Sequence, residues 1–260
     1  MNEAQPLLNI DKIGIRFGGL AAVQDFTLHL PERSLYGLIG PNGAGKTTVF
    51  NLLTGVYVTQ SGSMQLAGRS LAGQQPHQIT RAGLARTFQN IRLFGDLSVL
   101  ENVKLACQLR ARTRLSATLL RTRGYVAEEA AIEQRSLELL DLFDLRSRAD
   151  ENAQSLPYGH QRQVEIVRAL ATEPRVLLLD EPAAGMNSQE KRQLAQTIRR
   201  IRDDFQLAIL LIEHDMELVM DICERITVLD HGVTIAEGPP EKIQNDPQVI
   251  EAYLGVEEEE

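Results

Sequence analysis

Cysteine is nearly absent from this chain. Cys107 and Cys223 stand far apart with no CxxC spacing, so they read as two buried free thiols in a reducing cytosol rather than a disulfide framework. A surplus of positive charge is missing too. Lys and Arg number 27 against 35 Asp and Glu, a net charge of −8, with a pI near 5.3. That balance argues against a nucleic-acid partner, which would need a basic face, although it leaves room for a local basic patch. Long apolar runs are lacking: Val176–Leu179 and Leu207–Ile212 are far too short to cross a bilayer. The opening Met-Asn-Glu-Ala-Gln-Pro has neither a basic nor an apolar region, so no signal peptide is expected. The sequence therefore predicts a soluble protein that would reach a membrane only through a partner. It shows no internal repeat. The run Glu257–Glu260 is expected to be solvated and disordered.

The 260 residues suffice for one large or two small domains with an ample core. Leu8–Phe17 and Phe26–Leu30 alternate apolar and polar residues around Gly18-Gly19, and Gly62–Gly68 adds a short strand between turns. These predict an antiparallel sheet. From about Asn90 to Pro157 the period becomes helical: Val99, Val103 and Ala106 share a face, and Ile132–Leu145 is a long amphipathic stretch. Between them, Arg110–Arg123 holds five arginines, either a solvated surface or a contact with a partner or lipid headgroups. After Pro157 the pattern is regular: helix Gln161–Ala171, strand Val176–Leu179, helix Ser188–Asp203, strand Ala208–Ile212, helix Met216–Cys223, strand Arg225–Leu229. Asp230-His-Gly232 then turns into Val233–Ala236. Such alternation predicts a parallel sheet with ligands at the carboxyl ends of its strands.

One segment carries the ligand chemistry. Leu35–Ile39 is an apolar strand, and Gly40-Pro41-Asn42-Gly43-Ala44-Gly45-Lys46-Thr47-Thr48 follows it into a helix. Glycines at 40, 43 and 45 allow positive φ and leave no Cβ between backbone N–H groups and an anion. The helix that follows points its positive end at the same place. Lys46 supplies charge for β- and γ-phosphates, and the Thr47 hydroxyl is a ligand for Mg²⁺. Val176–Leu179 is apolar throughout, which predicts a central strand buried on both faces, and it ends in Asp180-Glu181-Pro182. If this strand neighbours the one before the glycine-rich loop, Asp180 emerges beside the loop as a second Mg²⁺ contact. Glu181 then polarises an attacking water. Leu210-Leu-Ile-Glu213-His214-Asp215 repeats the design, with His214 placed to donate to a γ-phosphate oxygen.

Together these residues resemble the ATP-binding subunit of ABC transporters over nearly the whole chain. The markers follow the family's order: Phe17, the Walker A loop Gly40–Thr48, the Q-loop Gln89, the signature segment Leu156-Pro157-Tyr158-Gly159-His160-Gln161, Walker B with Glu181, the D-loop Ala184–Asn187, and the switch His214. The resemblance implies a P-loop NTPase cassette of α/β class. It would have a mostly parallel core sheet, an N-terminal antiparallel β subdomain and a helical subdomain. The expected layout is one domain over 1–260, with 1–89 and 162–260 as the core, 90–161 as the helical part, and 257–260 as an acidic tail. It further implies that Phe17 stacks on adenine, that Gln89 reaches Mg²⁺ or the water, and that two cassettes pair head to tail. Each ATP would lie between the loop of one cassette and the signature segment of the other. The implied partners are a homodimeric or heterodimeric second ATPase, two transmembrane permeases and, indirectly, a substrate-binding protein outside the membrane. The chain would sit on the cytoplasmic face of the inner membrane.

Two departures stand out. The family's signature is usually Leu-Ser-Gly-Gly-Gln; here Pro157 replaces the serine, Tyr158 the first glycine and His160 the glutamine. Gly159 and a helix starting at Gln161 would still present N–H groups to the phosphate. Asn187 stands where many relatives have Asp. Tyr158, Glu181–Asn187, Leu211–Val219, Gly238–Gly255 and the Arg-containing insertion look like branched-chain amino acid importers, and most like their insertion-bearing G-type subunit. Urea and amide importers and the lipopolysaccharide exporter ATPase share much of this pattern. A non-transport ABC ATPase and an inactive regulatory subunit are further alternatives.

Overall fold

Strand β3 (Leu35–Ile39) runs into the glycine-rich loop and then into helix α1 (Lys46–Leu53), as the sequence predicts. The computed structural model describes residues 6–110 and 122–254. The remaining strands are β1 (Leu8–Phe17), β2 (Leu20–Leu30), β4 (Ser61–Leu66), β5 (Arg69–Ser70), β6 (Leu84–Arg86), β7 (Val176–Asp180), β8 (Ala208–Ile212), β9 (Arg225–Asp230) and β10 (Val233–Gly238). The helices after α1 are α2 (Pro76–Ala82), α3 (Val99–Cys107), α4 (Arg123–Asp141), α5 (Tyr158–Leu170), α6 (Ser188–Phe205), α7 (Met216–Ile222), α8 (Pro240–Gln244) and α9 (Pro247–Leu254). The chain divides into two compact units, Met1–Arg86 with Arg175–Glu260, and Thr87–Pro174. The second unit, Thr87–Pro174, includes the 90–161 stretch for which the sequence predicts helices. Among the described residues no helix is long and apolar enough to cross a membrane.

The first unit holds two sheets. An antiparallel one has the order β2-β1-β4-β5, and a six-stranded one the order β10-β9-β3-β8-β7-β6. In the second sheet β9, β3, β8, β7 and β6 are parallel, and β10 closes the edge antiparallel to β9. β7 and β8 are buried at every residue, which is why both read as unbroken apolar runs. β8 lies between β3 and β7, so the strands bearing the glycine-rich loop and Asp180 are not the immediate neighbours that the sequence reading considered. Register still levels their ends: Leu38 pairs with Ile212, and Ile212 with Asp180. The loop after β3, the acids after β7 and the Glu213–His214 exit of β8 therefore open along one carboxyl edge. A single core that includes Ile10, Phe26, Phe50, Leu52, Leu178 and Leu210 ties the two sheets together through α1. Each such side chain contributes roughly 1.5–3 kcal/mol on burial. α6 buries a stripe of Leu194, Ala195, Ile198 and Ile201 at helical spacing. Asn187 caps it, accepting from the Gln189 and Glu190 N–H groups while Glu190 accepts from the Asn187 N–H. That capping box, worth about 1 kcal/mol, gives Asn187 a local role that needs no charge.

In the second unit α3 packs on both α4 and α5. Ser98 and Glu101 form a capping box at the start of α3. α4 begins at Arg123 and stops at Asp141, so the expected Ile132–Leu145 stretch is its last turns followed by a break. α5 begins at Tyr158, three residues before the expected start, with Pro157 as its N-cap. Proline suits that boundary because its φ is already near helical and it has no N–H to leave unpaired. Most of the Arg-rich stretch, 111–121, and the acidic tail 257–260 lie outside the described residues.

Candidate active site

The loop between β3 and α1 adopts positive φ at Gly40 (147°), Gly43 (82°) and Gly45 (103°). At two of these positions sterics alone demand glycine. A Cβ at Gly40 would lie 2.0 Å from the Leu229 carbonyl oxygen, and one at Gly45 would lie 2.6 Å from that of Ala22. Gly45 is the N-cap of α1 and has no side chain to satisfy the first N–H groups of the helix, so they remain available to an anion. Lys46 is buried, and its Nζ donates to the Gly40 and Pro41 carbonyls at 2.7 and 2.8 Å. Burial depresses its pKa, while the charges of Glu181 and Asp180 push the other way. A phosphate in the loop would compete for this ammonium, and its charge would offset the cost of desolvation. Tyr253 on α9 is hydrogen-bonded to the Gly40 backbone; burial raises its pKa and that bond lowers it.

Asp180 is 1% exposed. Its Oδ2 accepts from Arg86 Nη2 at 2.7 Å. Glu181, the next residue, has a φ of 49°. Its N–H donates to the Ile212 carbonyl at 2.9 Å, and its Oε1 meets His214 Nε2 at 2.5 Å. A non-glycine residue held in the left-handed region at the end of a buried strand is a strained feature of the kind found at functional sites. Glu213, at 4% exposure, accepts from the Ala183 N–H at 2.6 Å and the His214 N–H at 3.1 Å. Burial raises its pKa, the backbone N–H groups of Ala183, His214 and Asp215 lower it, and the charge of Glu181 raises it again. Asp215 caps α7 by accepting from the Leu218 N–H, and it pairs with Lys191. Phe17 is half exposed at the end of β1, with its ring edge-on to Tyr57 at 5.2 Å.

The second unit carries the remaining candidates. Arg162, at 2% exposure, donates to the Phe88 and Gln89 carbonyls and, at 3.0 Å, to the Tyr158 hydroxyl. Glu165, one turn along α5, accepts from the Phe88 N–H at 3.2 Å and the Arg92 N–H at 3.3 Å. Burial raises its pKa, which those N–H groups, Arg162 and Arg168 lower. The helix that begins with the signature residues therefore grips the backbone around Gln89. At its start Gln161 N–H donates to the Pro157 carbonyl, and Gln161 Nε2 donates to the Leu156 carbonyl at 2.8 Å.

The structure thus gathers Lys46, Thr47, Asp180, Glu181 and His214 along one sheet edge, and Gln89 with Tyr158 in the other unit. Sequence reasoning missed Arg86, Glu213, Arg162, Glu165 and Tyr253. Glu213 carries a signal that could have found it, because it repeats the apolar-strand-then-acid pattern of β7. The others act through partners dozens of residues away, which no period reveals.

A family model described as ABC transporter matches residues 23–184. Another, described as branched-chain amino acid ATP-binding cassette transporter, matches residues 233–259. The high-affinity branched-chain amino acid transport ATP-binding protein LivG of Salmonella typhimurium is 46% identical over 252 residues, covering 97% of this chain and 99% of LivG. The corresponding BraF of Pseudomonas aeruginosa is 42% identical over 252 residues, again covering 97% and 99%. A solved ATP-binding cassette of an ABC transporter, in its ADP conformation, matches with a TM-score of 0.83 at 26% identity. That match covers 97% of this chain and all of the other.

Proposed function

This chain belongs to the ATP-binding proteins of ABC transporters, and on that premise we propose that it binds ATP with Mg²⁺ and hydrolyses it to drive a branched-chain amino acid importer. The observation that carries the catalytic part is the Glu181–His214 contact at the edge that also bears the Lys46 loop. Among the described residues no three His, Cys, Asp or Glu side chains cluster as a metal cage. The Thr47 hydroxyl and the Asp180 carboxylate are hard oxygen donors, which fits an ion that keeps several waters and takes the rest of its oxygens from phosphate. Bound there, Mg²⁺ would neutralise charge on the β- and γ-phosphate oxygens.

The protein's own groups do the rest. Backbone N–H groups of Gly40–Thr48 cradle the phosphates, and Lys46 moves its ammonium from loop carbonyls to phosphate oxygen. Glu181 accepts the proton of the attacking water, and His214 holds that carboxylate in place and faces the γ-phosphate. Gln89 would take the family's role of sensing the γ-phosphate, and Phe17 would offer its half-exposed ring to adenine. Leu156–Gln161 would face the nucleotide of a second cassette, a copy of this chain or a different one. Pro157 offers no hydroxyl for that contact. The missing bond is worth about 1.5–3 kcal/mol, so Pro157→Ser should tighten ATP-dependent pairing and raise pairing-dependent turnover by about ten- to a hundredfold. Unchanged affinity and rate would remove Pro157 from the mechanism.

The two units would work as one cassette, docked on two permeases at the cytoplasmic face of the membrane and supplied by a substrate-binding protein. The branched-chain assignment is supported by the match over 233–259 and by the 42–46% identity to LivG and BraF. Co-purification with the permeases followed by ATP-dependent uptake of labelled leucine tests it. ATP turnover without leucine uptake would keep the ATPase and discard the substrate.

A further inference from the structure

We infer that Arg86 is a positioning residue for the magnesium site, setting the separation of Thr47 and Asp180; this rests on the Mg²⁺-ATP site proposed above. Arg86 ends β6 and is buried beside Asp180. Its Nη2 donates to Asp180 Oδ2 at 2.7 Å, and its Nη1 donates to Asn51 Oδ1 at 2.7 Å and reaches Thr54 Oγ1 at 3.5 Å. Its guanidinium carbon lies 5.3 Å from the centroid of the Phe50 ring. Phe50, Asn51 and Thr54 belong to α1 or its C-cap, and Asp180 ends β7. One planar group therefore bridges the helix that carries Thr47 and the strand that carries Asp180.

The spacing gives the bridge its meaning. Thr47 and Asn51 are four residues apart in α1, so they share a helix face one turn from each other. A guanidinium presents its donors in a rigid fork, so a bond to Asn51 on one arm and to Asp180 on the other fixes distance and angle together. A buried carboxylate is costly without a charged partner, and Arg86 is that partner here. Groups that orient metal ligands in this way typically change metal affinity about 10–100-fold when lost.

The test separates magnesium positioning from a merely structural role. Binding of trinitrophenyl-ATP is titrated with Mg²⁺ and with EDTA for the unaltered chain, Arg86→Lys and Asn51→Ala, with circular dichroism as the folding control. Lysine keeps the charge but cannot span both partners. Arg86→Lys should weaken binding in Mg²⁺ about tenfold or more, with binding in EDTA changed less than about twofold. Asn51→Ala, which keeps the Arg86–Asp180 pair, should shift Mg²⁺-dependent binding the same way by about threefold. It carries the test alone if Arg86→Lys does not fold. Equal losses with and without Mg²⁺, or no Mg²⁺-specific loss in Asn51→Ala, would overturn the inference. If the unaltered chain bound no better in Mg²⁺ than in EDTA, the magnesium site itself would fail, and Arg86 with it.

Discussion

Strands β7 and β8 lie side by side, paired from Val176–Ala208 to Asp180–Ile212, and both are buried at every residue. Each runs into acids, yet the three acids meet different fates. Asp180 is buried against a guanidinium. Glu181 turns out at positive φ to meet His214. Glu213, the residue after β8, is buried and held by backbone N–H groups. The same pattern, an apolar strand followed by a carboxylate, thus yields one carboxylate paired with a guanidinium, one against a histidine and one clasped by backbone N–H groups. Burial alone does not separate them, since Asp180 and Glu213 are both nearly inaccessible; the partner does. A guanidinium leaves the carboxylate charged, a histidine suits proton transfer, and amides only hold position.

The largest test of that contrast is Glu181→Gln. Removing the base should lower phosphate release by about 10²–10⁴-fold while ATP binding persists. An undiminished rate would move the base to another residue. The second is Asp180→Asn, which strands Arg86 as an uncompensated buried charge and should cost about 3–5 kcal/mol in chemical denaturation. A loss below about 1 kcal/mol would show that Arg86 is compensated by its other contacts, among them Asn51. The smallest is Glu213→Gln. Its raised pKa means that the folded state favours the protonated form, so that contribution is complete below the ordinary carboxylate value. It is lost as pH rises through the raised folded value. The stability of the unaltered chain should therefore fall relative to Glu213→Gln over that interval and run parallel to it at higher pH. Parallel curves throughout would mean that the Ala183, His214 and Asp215 N–H groups fully offset the desolvation.

Much of the first unit was readable from local signals. The loop from Gly40 to Thr48 and strand Ala208–Ile212 form where expected, because glycine sterics and unbroken apolar runs are properties of short segments. α6 begins at Ser188 as expected, since Asn187 and Glu190 cap it within one turn. The second unit was less legible. The extent of α4 and the early start of α5 escaped because neither end carries a decisive breaker: Pro157 serves as a cap, so the turn after it is already helical. Nothing in the predicted helix Gln161–Ala171 singles out Arg162 and Glu165, yet both are buried against the Phe88–Arg92 backbone.

By itself the sequence determined which residue types stand together: a glycine-rich loop before Lys46, the acids Asp180 and Glu181 at one strand end, and His214 at another, each set by spacing over fewer than ten positions. The tertiary structure alone decided which partner each acid meets. Inserting β8 between β3 and β7 aligned their exits, and bringing Arg86 to Asp180 across 94 positions assigned the first acid its charge partner. Those choices depend on which strands become neighbours, a consequence of packing the whole core that no local period records.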